Sequence, residues 1–369
     1  MSALSRHSRA PFARGRFRRA RGRASRRGVA LLVVLLVTAI LTIVVLDFAQ
    51  STRIDFYIAS NIQNGMRAFF LAKSGVQVAS GALLKDIRDN DEDHINEEWN
   101  NPMYSMIPLS DTEFISVEIT DESGKFNLNH LVTVAGSVNQ GNLEIFRQLL
   151  ILLNLDAKVG DAIVDWIDKD SEALAGGGVE DQFYGYGSMQ PSGIVVKNGR
   201  LGSLAELRMI AGVTDEVYNQ LSQVCTIYSD HKYNINTIDE KVLTALILYM
   251  DPKAAAEDLV KKIVAQREGE DTYFKKGNLR QQLQDAGVDP AIAGRLAQRV
   301  ATKTRYFSVD VSASVGPTVK TVHAVIERDK KKVKTIYFRP GELLKNPIPS
   351  TGGAGAAGAA GALGAALGP

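Results

Sequence analysis

The residues best suited to chemistry are seven carboxylates crowded between positions 161 and 181: Asp161, Asp165, Asp168, Asp170, Glu172, Glu180 and Asp181. Asp161, Asp165 and Asp168 fall at i, i+4 and i+7 of a predicted helix, which sets them on one face. Glycines 176–178 then lead to Glu180 and Asp181. Repeated carboxylates beside a flexible loop suit calcium, which takes six to eight oxygen ligands at loose geometry. No histidine or cysteine is near, so zinc is disfavoured. A solvated acidic helix end shows the same pattern, and the residues alone leave both readings open. As ligands we single out Asp168, Asp170, Glu180 and Asp181, with Asp165 behind them. A catalytic acid pair is disfavoured. His7, His94, His130, His231 and His323 are scattered, and neither G-x-S-x-G nor H-E-x-x-H occurs. No catalytic residue is expected.

The elements around this series follow from periodicity. Leu143, Phe146, Leu149, Leu150 and Leu153, then Ile163, Val164 and Ile167, predict helices over 141–168. Further helical spacing runs through 204–221 and from NINTIDEKVLTALILYM to about residue 300. Phe114 to Ile119 alternates as FISVEI, a strand signal. A turn at Ser123-Gly124 and apolar Phe126 and Leu128 predict that this strand returns as a hairpin. Residues 88–110 read as a polar loop. Strands come back at RYFSVDVSASV and TVHAVIERDKKKVKTIYFRP, with a basic turn at Lys330, Lys331 and Lys332. The two hairpins are expected to share one antiparallel sheet flanking a helical insertion. Asn234 and Asn236 are expected to cap the helix that follows them. Cys225 is the single cysteine, so no intramolecular disulfide is available; it reads as a small buried hydrophobe.

The N-terminus is divided at Gly28. Ten arginines and no acid precede it, and the 18 residues from Val29 to Leu46 carry no charge. That run is about the minimum for a bilayer span, and flanking arginines hold the N-terminus on the cytoplasmic side. With the leader removed, 33 basic and 41 acidic residues remain, a net of −8 against +2 for the whole chain. Three readings compete: a secretory signal, a plain signal anchor, and a prepilin-type leader cut after glycine. The run ends in Leu46-Asp47-Phe48 without a small-residue cleavage pattern, which disfavours the first. Helical spacing continues through Ile54, Ile58, Ile62, Phe69, Phe70, Val76 and Leu83. One helix from Val29 to Ile87 would span roughly 90 Å.

Taken in order, RG-VALL, the long helix, GKFNLN, DWIDKD, GGGVEDQFY, LGSLAELRMIAGV, NINTIDEKVL and RYFSV resemble the K-type minor pseudopilins of type II secretion systems. The resemblance covers about residues 27–338; the long leader and the Gly/Ala-rich tail fall outside it. It implies an α+β, type IV pilin-like fold: a long N-terminal helix packed on an antiparallel sheet, with a large all-helical insertion of helix-hairpin-helix type. The implied parts are a cleaved leader (1–28), a transmembrane segment (29–46) and its periplasmic continuation (47–87). First strands (88–135), an insertion (136–303, in sub-units 136–230 and 231–303) and returning strands (304–340) follow; the low-complexity Gly/Ala-rich tail (341–369), outside the resemblance, reads as disordered from its composition. The resemblance further implies a single-pass inner-membrane protein, not an enzyme, with its C-terminal domain in the periplasm. Such a protein caps the pseudopilus tip, helps initiate its assembly and serves export of folded proteins across the outer membrane. Implied partners are the I- and J-type minor pseudopilins, the major pseudopilin filament, the prepilin peptidase and the inner-membrane assembly platform. The peptidase would cut after Gly28 and methylate Val29. Val33 would then be the fifth mature residue, where elongating pilins carry a glutamate that pairs with a neighbour's terminal amine. The resemblance also implies calcium in the helical region.

NINTIDEKVL also resembles the opening of a helix-hairpin-helix module, which makes a membrane-anchored DNA-binding protein of an uptake system the rival reading. The following LYMDPKAAAED lacks the glycine that presents backbone N–H groups to phosphate. A net of −8 after the leader also repels DNA. No nucleic-acid partner is expected.

Overall fold

The computed structural model describes residues 24–89, 91–100, 106–175, 178–180, 184, 195–268, 272–329 and 332–341. The leader to residue 23, Asp181, Lys330, Lys331 and the tail from 342 lie outside the described residues. Two compact units divide the chain, 1–62 and 63–369.

The first unit is helical. Helix α1, Ala24–Asp89, begins in it and ends in the second. From Gly28 onward α1 is apolar enough to cross a membrane, with hydropathy 3.3 over an 18-residue stretch that is 0% buried. Val29, Leu32, Leu36, Ile43 and Leu46 are all exposed. A helix apolar all round needs an apolar surrounding, and lipid supplies one. The two hydroxyls of this stretch are satisfied within the helix: Thr38 Oγ1 donates to Leu35 O at 3.0 Å and Thr42 Oγ1 to Thr38 O at 2.8 Å.

The second unit holds two cores. Strands β1 (Ile107–Ser110), β2 (Glu113–Asp121), β7 (Tyr306–Val315), β8 (Thr318–Asp329) and β9 (Lys332–Pro340) form one sheet in the order β1-β2-β7-β8-β9. Every pairing in it is antiparallel. Side chains alternate across a strand, so Ile115, Val117 and Ile119, Phe307, Val309 and Val311, and Val322, Ala324 and Ile326 share one buried face. Ala72, Val76, Ala79 and Leu83 of α1 cover that face. Gly75 lets the helix approach: a Cβ there would lie 2.6 Å from Val311 Cγ1 and 3.2 Å from Ile115 Cγ2.

Between β2 and β7 the chain builds the second core from helices α2 (Gln140–Leu152), α3 (Lys158–Ile167), α4 (Asp215–Val224), α5 (Glu240–Met250), α6 (Ala256–Glu268), α7 (Leu279–Asp285) and α8 (Pro290–Arg299). Two short parallel pairs close it: β3 (Phe126–Asn127) with β4 (Cys225–Thr226), and β5 (Tyr233–Asn234) with β6 (Val300–Ala301). One continuous apolar cluster runs from Phe126 to Val300, because α2 packs on α5 across the expected division into sub-units. Cys225 lies in this core, fully buried, and burial pushes its thiol well up.

Buried polar groups lie between the two cores. Arg328, 4% exposed, pairs with Asp86 at the end of α1 and with Asp93, and donates to Thr304 O at 3.0 Å. Asp121 at the end of β2 accepts from Asn234 Nδ2 at 2.9 Å and from the hydroxyls of Thr237 and Thr304 at 2.5 Å. Asn234 also donates to Asp93 O at 3.0 Å.

Three expectations are corrected. FISVEI does not pair with the segment after Ser123-Gly124; β2 pairs with β1 and β7, and β3 joins the insertion. The chain turns away at 122–124 because Glu122 is drawn into a buried cluster with Lys125 at 2.6 Å and Ser308 at 2.6 Å. Residues 88–110 are not all loop: they supply β1 and Trp99, whose ring meets Phe307 edge-on at 5.3 Å. Finally, Asn234 and Asn236 do not cap α5. Asp239 does, accepting from Lys241 N at 2.8 Å and Val242 N at 3.2 Å, while both asparagines are fully buried in the seam.

Candidate metal centre

Helix α3 directs the acidic series. Its apolar residues Val159, Ile163, Val164 and Ile167 are buried, and the Asp168 N–H closes its last turn on Val164 O at 2.9 Å. Lacking a glycine there, the chain leaves the helix with Asp168 extended, at φ −70 and ψ 179. The three carboxylates spaced along one face then meet three different surroundings. Asp161 pairs with Arg147 Nη2 of α2 at 2.8 Å. Asp165 accepts the Leu174 N–H at 3.1 Å. Asp168 makes no salt bridge, and its Oδ1 accepts no hydrogen bond among the described residues although it is 2% exposed.

Asp168, Asp170 and Glu180 each offer one carboxylate oxygen, and these lie within 4.8 Å of one another. The structure thus brings together three of the five residues singled out from the sequence; Asp165 turns to backbone amides and Asp181 is not described. Asp168 and Glu180 are buried and Asp170 is exposed, so the cluster opens to solvent on one side. Burial, with the charges of Asp170, Asp165 and Glu180, pushes the Asp168 carboxyl up to about 7. Burial also raises Asp165. Asp170 is held by its own turn, with Oδ1 accepting Glu172 N at 3.0 Å, and by Asn198 Nδ2 donating to its carbonyl at 3.0 Å. An oxygen-only set with an orphaned buried oxygen fits a hard divalent cation.

A second trio, Asp86, Asp93 and Glu97, is just as close and fully buried. Here the protein supplies its own cation: Arg328 pairs with the first two, and Trp99 Nε1 donates to Glu97. Burial still lifts Asp93 to about 6 and, with the charges of Asp86 and Asp93, Glu97 to about 8. The sequence presents Asp93 and Glu97 as part of a polar loop and Asp86 as part of the long helix; Arg328, at the end of the alternating strand TVHAVIERD, was the signal that a buried acid awaits it.

Asn234 and Asn236 of the NIN segment are buried against Asp93, Asp121 and Phe274 O, out of reach of a phosphate.

A family model described as type II secretion system (T2SS), protein K, matches residues 124–230. Type II secretion system protein K of Pseudomonas aeruginosa is 28% identical over 341 residues, covering 90% of this chain and 97% of that protein. The Aeromonas hydrophila protein of the same description is 28% identical over 319 residues, covering 82% and 93%. Among solved structures, a chain of the GspK-GspI-GspJ complex from the enterotoxigenic Escherichia coli type 2 secretion system superposes with a TM-score of 0.62 at 19% identity. That match covers 77% of this chain and 99% of the other, and shows a shared fold. Over most of its length the chain is thus similar to type II secretion system protein K, and the family model of that description matches it over residues 124–230.

Proposed function

We propose that this chain is the minor pseudopilin that caps the pseudopilus tip, helping to start its assembly and so serving export of folded proteins across the outer membrane. Similarity to type II secretion system protein K supports a pseudopilin role in type II secretion. The observation that carries the finer reading is in α1. From Val29 to Leu46 it offers an exposed apolar surface without one carboxylate, and Val33, 52% exposed, stands where an elongating subunit would place glutamate. A lone charge in lipid is costly, so a subunit without that glutamate cannot neutralise a neighbour's lipid-buried amine and suits the position where no earlier subunit awaits that pairing. The insertion between β2 and β7 adds bulk that stacked subunits would have to avoid. Likeness in fold to a chain of the GspK-GspI-GspJ complex supports I- and J-type pseudopilins as partners. The major filament, the assembly platform and the prepilin peptidase complete the proposed set, with the head in the periplasm and α1 in the inner membrane. The role is structural, without catalysis.

We also propose calcium at Asp168, Asp170 and Glu180, with Asp181 beside them in sequence. A bound cation would neutralise these acids and tie the end of α3 to the loop. Mass spectrometry of the membrane-extracted chain tests the processing step. The mature protein should begin at a methylated Val29, and Gly28→Trp should retain the leader. A wild type that retains the leader, or a Gly28→Trp variant that loses it, would refute the prepilin reading. Co-purification with I- and J-type pseudopilins tests the tip assignment.

A further inference from the structure

Asp165 belongs to the acidic series by spacing, yet its carboxylate is committed within the chain. It is 0% exposed. Both oxygens lie 3.1 Å from the Leu174 N–H, and the Val179 N–H is a second backbone donor to the same group. These amides come from the two arms of the loop, and Val179 adjoins Glu180. The arms also meet directly, with Gly178 N–H donating to Leu174 O at 3.0 Å. A Cβ on Gly178 would lie 2.2 Å from Asp165 Oδ2 and 2.2 Å from Leu174 N. Those separations are far inside van der Waals contact, and one of the atoms is backbone, so only glycine permits the closure.

We infer that Asp165 and Gly178 form a clamp that closes the loop before any ion arrives and sets Glu180 against Asp168 and Asp170, Asp165 being a positioning residue and not a ligand. The inference rests on the calcium reading above. Closing a ten-residue segment costs conformational entropy. A site assembled in advance does not charge that cost to ion binding. The clamp acts through the ligands as hydrogen-bonded outer partners do in other metal sites, where their loss weakens binding about 10–100-fold. Asp161 is held back from the ion in a parallel way, by Arg147.

The test uses the detergent-solubilised full chain, with calcium itself as the probe in calorimetry and amide hydrogen exchange as a second readout. The Leu174 amide should be protected in calcium-free wild type, and Gly178→Ala should accelerate its exchange. Gly178→Ala removes no oxygen and no charge, yet should weaken calcium about 10–100-fold. Asp165→Asn, which keeps one acceptor oxygen, should weaken it less than Asp165→Ala. Should Asp165→Ala not fold, the glycine variant carries the test. A Leu174 amide that becomes protected only on adding calcium would overturn the clamp. So would wild-type affinity in Gly178→Ala. Wild type that binds no calcium would remove the calcium reading instead, and the exchange measurement would still judge the clamp.

Discussion

Replacing Arg328 with methionine should destabilise the chain strongly at pH 8 and mildly at pH 5.5. The guanidinium is 2% exposed and is shared by the side chains of Asp86 and Asp93, 9% and 2% exposed. Breaking a buried pair by removing one partner costs about 3–5 kcal/mol, chiefly because the remaining charge is stranded. Asp93 and the neighbouring Glu97 can escape that penalty by taking up protons. Asp93 already sits at about 6 against an ordinary 3.8, and Glu97 at about 8 against 4.5. Both are raised, so the folded chain binds more protons than the unfolded one. Their contribution is complete below the unfolded values and is lost as pH rises through 6 and then 8. Without Arg328 the Asp93 carboxyl rises further, since the guanidinium is what pulls it down. At pH 5.5 Asp93 of the variant is then protonated, so less charge is stranded and the deficit shrinks towards that of the lost hydrogen bonds, about 1–2 kcal/mol. Urea titration of the detergent-solubilised full chain at both pH values measures this. Tryptophan fluorescence is a suitable probe, since Trp99 lies in the seam against Phe307 and Glu97. Adding Asp93→Asn to the variant should recover part of the loss at pH 8. A deficit under about 1 kcal/mol at pH 8, or one equal at both pH values, would refute the reasoning.

Other outcomes are expected. Calcium should raise the melting temperature of the wild type relative to chelator, since an ion bound only by the folded state stabilises it by mass action; identical melting curves would leave Asp168, Asp170 and Glu180 a solvated acidic group. Gly75→Ala and Gly81→Ala should move stability in opposite directions. At Gly81 nothing lies within 4 Å of the added Cβ, so the helix gains about 1 kcal/mol. At Gly75 the methyl would meet Val311, Ile115 and Val117 of the sheet, and overpacking of this kind costs about 1–3 kcal/mol; thermal melts of the two variants decide.

What was legible in the sequence was whatever a short window carries. The uncharged run from Val29, the alternation in β7 and β8, and the 3.6-residue spacing in α2 and α3 each report the surroundings of one segment, and the structure bears them out. Partner choice was not legible. FISVEI reads as a strand from its own residues, but its neighbour β7 lies some 190 positions on, and the turn after it looked adequate for a hairpin. IPLS shows no alternation of its own, and it is a strand because β2 offers it an edge. The asparagines of NIN had the right chemistry for caps, and were instead used where two cores needed polar mortar.

The carboxylates show the same limit in sharper form. Spacing put Asp161, Asp165 and Asp168 on one face, which is correct, and spacing says nothing about what faces them. Arg147 neutralises the first, backbone amides satisfy the second, and the third is left with an oxygen orphaned among the described residues. Elsewhere Asp86, Asp93 and Glu97 form a trio as tight and more buried, and a strand arginine more than 230 residues away fills its centre. Two trios of the same composition therefore demand opposite things of their surroundings. One carries its cation in the covalent chain, so its joint between α1, the sheet and the insertion should survive chelation. The other lacks one, and its loop should hold only as firmly as Asp165 and Gly178 allow until an ion arrives. Chelator should accordingly raise exchange at residues 169–172 while leaving the amides of Leu174, held by Asp165, and of Thr304, bonded to Asp93, unchanged.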